Sequence, residues 1–149
     1  DTKFTRQNPP VEMLKEEIEK YVPWMTWLAE ISPRVVIRES NVRVIEKGKV
    51  VKISLKIENE GYLPTYITTR ALEMKIAKPV RSLVEVKDAE LISGEPRTDL
   101  GNLDGTRDNN GVTTRSVDYV FQITGKNPVA TFTVQSEKGG TIKKEISLK

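Results

Sequence analysis

The sequence predicts a mainly β chain: an immunoglobulin-like antiparallel β-sandwich of about seven to nine strands, preceded by a kinked N-terminal helical segment. Three observations carry this. Apolar residues recur at helical spacing only as far as Pro33. Beyond it they alternate with period two, and Gly-, Asn- and Asp-rich turns interrupt the remainder at short intervals. The expected organisation is residues 1–33 as a helical segment packing on the sandwich and residues 34–149 as the sandwich itself. A helical segment this short cannot bury its own apolar stripe, so the two are expected to belong together.

In the helical segment, Asn8 is the expected N-cap, with Pro9 and Pro10 in the first turn, where a missing N–H costs little. Val11, Leu14, Ile18, Val22, Met25 and Leu28 then follow at gaps of three and four and form one face. Glu16 and Lys20 stand in the favourable i,i+4 order. Pro23 should kink the helix, or end one at Tyr21–Val22 and start another. At about 100° per residue, Trp24 falls near the edge of the apolar stripe and Trp27 almost opposite it.

After Pro33, Val51, Ile53, Leu55 and Ile57 alternate with Lys52, Ser54, Lys56 and Glu58, the pattern of a strand with one wet face. Further strands are expected at 34–39, 41–45, 80–86, 89–93, 116–124, 129–136 and 141–148. The last two should form a hairpin around Glu137, Lys138, Gly139 and Gly140. Residues 68–78 read as a short helix or an irregular crossover. Residues 102–114, rich in Gly, Asn, Asp and Thr, read as a long mobile loop without apolar anchors.

Composition limits the chemistry. The 149 residues include no histidine and no cysteine. The usual general base near neutral pH, thiolate nucleophiles, disulfides and the common zinc donors are therefore all missing from this chain. No motif for a serine nucleophile or a phosphate-binding loop is present. Glu16–Glu17 and Glu58–Glu60 are paired carboxylates, but their spacing places them on solvated faces rather than across a cleft. The net charge of +3 comes from 24 basic and 21 acidic residues interspersed along the chain. That mixture is unlike a basic nucleic-acid stripe, and no apolar run has the length of a membrane span. The chain is thus expected to be non-catalytic, with no cofactor of its own. Its first residue is Asp1, and its opening reads as mid-protein sequence, so a fragment of a longer protein is expected.

Two groups of residues are candidates for a site. Asn102, Asp104, Asp108 and Asn110 cluster hard oxygens in the 102–114 loop and are a calcium-loop candidate. The EF-hand register fails: with Asp108, Asn110 and Gly111 at positions three, five and six, the first position is Thr106 and the twelfth is Val117. Trp24, Trp27, Tyr62 and Tyr66 are interface candidates, as an aromatic platform for a sugar or a partner surface.

Several segments together resemble the C-terminal accessory region of bacterial zinc carboxypeptidases of the carboxypeptidase A type. They are FTRQNPP (4–10), the helical VEMLKEEIEKYVPWMTWLAEISPRV, IENEGYLPTYITTRALEMKIAKPV, ELISGEPRTDLGNLDG and the ending ATFTVQSEKGGTIKKEISL. The resemblance covers nearly the whole chain, and none of its motifs is a catalytic signature. It implies an exported (periplasmic or extracellular) bacterial parent that removes C-terminal residues from peptides. Zinc would sit in the parent's catalytic domain, and this chain would partner that peptidase domain. No residue here matches the family's zinc ligands, so no catalytic role is carried over. On this view Trp27 would meet the peptidase domain. The alternative is a free-standing module binding carbohydrate or cell-wall polymer at a cell surface.

Overall fold

The structure, a computed structural model, describes residues 9–149. Asn8, expected as the helix cap, lies outside them. Contacts divide the chain into two units, Asp1–Ile31 and Ser32–Lys149.

The first unit holds α1 (Val11–Glu19) and α2 (Val22–Ile31). The expected break falls at Lys20–Tyr21, ahead of Pro23, which has no N–H to continue the ladder. Helical bonding resumes with Met25 N–H donating to the Tyr21 carbonyl at 2.9 Å. Two local expectations need correction. Pro10 occupies the cap position in extended backbone (φ −52°, ψ 148°), so the prolines precede the helix instead of forming its first turn. Lys20, the C-cap residue, pairs with Glu17 at 2.7 Å in i,i+3 spacing rather than with Glu16.

The second unit contains eight strands in two antiparallel sheets among the described residues. They are β1 (Val35–Glu46), β2 (Val50–Asn59), β3 (Val80–Lys87), β4 (Ala89–Ser93), β5 (Arg97–Gly101), β6 (Thr114–Ile123), β7 (Val129–Ser136) and β8 (Gly140–Ser147). One sheet runs β1-β2-β6-β4 and the other β5-β3-β7-β8. The triplets β1-β2-β6 and β3-β7-β8 stand as the A-B-E and C-F-G strands of an immunoglobulin-like sandwich, with β4 and β5 closing the other edges. The fold is therefore the expected one, with two differences in detail. Residues 34–39 and 41–45 are not separate strands; β1 runs through both and keeps register with β2 by bulging near Arg38 and near Ile45. The strand Arg97–Gly101 was not expected: its buried residue is Leu100, and a single apolar side chain leaves no alternation to detect. Between β2 and β3 lies the short helix α3 (Thr69–Glu73), whose N-cap Thr68 accepts a hydrogen bond from Ala71 N–H.

The core follows from period-two alternation. Val51, Ile53, Leu55 and Ile57 of β2 are all buried and meet Ala130, Phe132 and Val134 of β7 across the sandwich. Tyr119, Phe121 and Phe132 form its aromatic centre, with ring centroids 5.3–6.2 Å apart. Tyr119 OH donates to Ser82 Oγ at 2.9 Å, a hydrogen bond between the sheets with both residues at 0% exposure. Replacing Tyr119 by Phe should keep the ring but strand the serine hydroxyl. A loss of about 1–2 kcal/mol in urea unfolding is expected, and an unchanged midpoint would contradict it.

On the wet face of β1 and β2, Arg38 pairs with Glu58 and Glu60, each at 2.7 Å, and Arg34 reaches Glu60 at 2.6 Å. These carboxylates thus belong to a surface ion-pair ladder, in line with a solvated strand face.

Candidate functional site

The most organised polar chemistry of the sandwich lies where β2 runs out. The alternation that buries Ile53, Leu55 and Ile57 places Asn59 next on the inward face, at 0% exposure. A buried amide must find partners for both donor and acceptor. Asn59 Oδ1 accepts from Arg34 N–H at 2.9 Å and from Gly61 N–H at 3.1 Å. Its Nδ2 donates to the Leu63 carbonyl at 2.9 Å and to the Asp104 carbonyl at 3.0 Å. One side chain thus ties together the entry to β1, the turn after β2 and the loop before β6.

Residues 61–66 and 103–107 are joined along their length. Thr106 N–H donates to the Gly61 carbonyl at 3.0 Å and Arg107 N–H to the Tyr62 carbonyl at 3.2 Å. Buried Thr65 exchanges bonds with Leu103: its N–H donates to the Leu103 carbonyl at 2.9 Å, and its Oγ1 accepts from Leu103 N–H at 2.9 Å. Leu103 itself is at 0% exposure and belongs to the core. This corrects the expectation of a 102–114 loop without apolar anchors. Leu103 is the anchor, and one leucine among polar residues carries no periodicity by which to recognise it.

The predicted oxygens part company. Asp104 Oδ1 accepts from Tyr66 OH at 2.9 Å and its Oδ2 from Val112 N–H at 2.6 Å. Asp108 Oδ1 accepts from Asn110 N–H at 3.1 Å, a local turn. Asn102 Oδ1 is buried with no protein partner among the described residues. Both oxygens of the best-placed carboxylate are thus engaged by the protein's own donors, and calcium is expected to leave the melting temperature unchanged. A rise of several degrees on adding it would show that the loop rearranges around the ion.

Tyr66, Asp104 and Asp108 share one open hollow of about 380 Å³ with Pro64, Ile67 and Arg107. Tyr62, 47% exposed, sits at the same end of the sandwich. Trp24 and Trp27 lie on α2, in the other unit, at 55% and 50% exposure. The hollow offers a phenol, two carboxylates and a guanidinium, a mixed set suited to polar recognition. Asn59, Thr65 and Arg107 were not anticipated. For Asn59 a signal existed, since it follows Ile57 in the core phase of β2.

The Tyr66 phenol is held above its ordinary pKa of 10.0, first by desolvation and then by its hydrogen bond to Asp104. A phenol raised in the folded state contributes stability that is whole below pH 10.0 and is lost as pH climbs through the raised value. Tyr66→Phe should therefore lose less stability than wild type between neutral and strongly alkaline pH. Parallel curves in urea titrations would refute the coupling.

Comparison with known proteins places this geometry in context. A segment of 89 residues is 29% identical to human (Homo sapiens) 1-phosphatidylinositol 4,5-bisphosphate phosphodiesterase gamma-2, covering 60% of this chain and 7% of that protein. The rat (Rattus norvegicus) protein of the same name is 27% identical over 89 residues, with the same shares. The chain thus matches only a small part of these relatives' length. Among solved structures, beta-glucosidase 3B from Thermotoga neapolitana in complex with glucose aligns with a TM-score of 0.33 at 12% identity, covering 78% of this chain and 16% of that one. A family model described as a domain of unknown function, DUF8731, matches residues 34–147, the whole sandwich from the first residues of β1 to the end of β8. The chain belongs to the DUF8731 family.

Proposed function

We propose that this chain is a non-catalytic structural or interaction module at the C-terminal side of a larger exported bacterial zinc metallocarboxypeptidase, where it partners the peptidase domain. The observation that carries the reading is the Asn59 network. The segment NEGYLPTY (59–66) is central to the family resemblance, and its polar atoms are used to build the turn. A motif that recurs because it folds a scaffold suits an accessory module. On this reading zinc would belong to the parent's catalytic domain, since this chain offers neither histidine nor cysteine donors.

The coding sequence upstream of Asp1 tests the attachment. An open frame encoding an H-x-x-E pair and a later histidine is the expected finding. A stop codon, or a signal peptide immediately before Asp1, would replace this reading with the free-standing carbohydrate-binding module. The purified chain should also leave peptides with free and blocked C-termini uncut, with or without zinc. Turnover that follows the chain through repurification would overturn the non-catalytic assignment.

A further inference from the structure

At the opposite end of β2 from Asn59, the mouth between the two sheets is not closed. A hollow of about 460 Å³ opens there, within the roughly 300–1,000 Å³ range of small-molecule sites. Its walls are Val44, Val51, Ile123, Pro128 and Leu148, contributed by β1, β2 and β6, the β6–β7 turn and the residue following β8. Val51 and Leu148 are core residues at 1% and 0% exposure, so the floor is the core itself, while Val44 stands 49% exposed at the rim. The surrounding backbone is pinned: Ile123 N–H donates to the Lys49 carbonyl at 2.7 Å and Leu148 N–H to the Pro128 carbonyl at 3.0 Å.

The charged residues that line it have one sign. The charged residues lining the hollow are Lys47, Lys126 and Lys149, and no carboxylate side chain lines it. Two acids outside the lining are engaged by the protein's own groups: Glu46 with Lys49 at 2.6 Å, and Asp88 Oδ2, behind Gly125, with Asn127 N–H at 3.0 Å. Lys149 Nζ is held by Asn127 Oδ1 at 3.0 Å. Lys47 and Lys126 have no ion pair or hydrogen bond among the described side chains, and a strongly hydrated ammonium on a flexible stem can swing over an apolar floor.

We infer that this hollow binds a small anionic amphiphile, its apolar chain lying on Val44 and Ile123 above the buried Val51 and Leu148 and its carboxylate or phosphate head meeting Lys47 and Lys126. An apolar ligand alone would leave the lysines without purpose, and a purely ionic one would leave the apolar walls unfilled. The inference stands independently of the proposed attachment to a peptidase.

Calorimetric titration with decyl phosphate, below its micelle concentration, tests it on the intact chain. Decyl maltoside supplies the same tail without charge, inorganic phosphate the head without a tail, and phosphatidylglycerol vesicles the membrane-bound source of the same chemistry. Decyl phosphate should bind about tenfold or more tightly than either partial probe. The doubly exposed variant Lys47→Glu/Lys126→Glu should lose about tenfold in affinity while melting as wild type does, and Lys138→Glu, in the β7–β8 hairpin, should bind as wild type. Equal affinity for the charged and uncharged amphiphiles, binding of free phosphate alone, indifference to the double substitution, or association only with vesicles would each overturn it.

Discussion

Asn59→Ala is expected to cost about 3 kcal/mol or more and to lower the melting temperature by about 10 °C or more. The side chain is wholly buried and makes four hydrogen bonds, all to main-chain groups. Truncation leaves the N–H groups of Arg34 and Gly61 and the carbonyls of Leu63 and Asp104 without that partner, and each buried group left unpaired costs roughly 1–3 kcal/mol. Asn59→Asp distinguishes packing from hydrogen bonding. It preserves volume and the two acceptor bonds, but brings a carboxylate against two carbonyl oxygens, so it should also destabilise strongly at neutral pH. The measurement is the urea midpoint with an unchanged slope, and Asn110→Ala in the exposed part of the loop serves as the neutral control. A loss below about 1 kcal/mol for Asn59→Ala would mean that the turn holds its shape without the amide.

The second large effect concerns two glycines that the same junction packs against. A Cβ on Gly61 would overlap the Ser32 carbonyl oxygen and lie 2.5 Å from Pro33 Cα. One on Gly105 would overlap the Tyr62 carbonyl oxygen and lie 2.5 Å from the Leu63 carbonyl carbon. Neither has a positive φ, so the requirement is close approach of two backbones, not left-handed geometry. Backbone cannot swing aside as a flexible side chain can. Gly61→Ala and Gly105→Ala should therefore each cost about 3 kcal/mol or more, and the hydrogen bonds between the two segments should exchange their protons faster. Gly48 supplies the contrast. Its φ is +71° with nothing within 4 Å of an added Cβ, so Gly48→Ala should pay only the left-handed penalty of about 1 kcal/mol. If all three alanine variants unfold at similar urea concentrations, the two segments are not held as tightly as described.

Much of the sandwich was legible from the chain itself, and for a local reason. Side chains on a strand alternate faces, so residues 51–57 declare their inward set without knowledge of any partner. The same rule located β3, β4, β6, β7 and β8, and Gly139 and Gly140 marked the final hairpin. The bend of the helical segment followed from the missing N–H of Pro23. What remained hidden was set by contacts between residues far apart in sequence. The strand 97–101 exists because β3 offers it an open edge, not because its own residues alternate. Leu103 becomes core only when Thr65 and Asn59 bring the loop onto the turn, across 38 and 45 positions of chain. Asp104 looked like an ion ligand by composition, and the tertiary structure turned its two oxygens toward Tyr66 and Val112. The sequence by itself determined the layers, because hydrophobic alternation is a property of neighbours. Which polar groups build the fold and which are left to meet a ligand was decided only by the tertiary structure, because a hydrogen bond needs a partner whose position the local sequence does not specify.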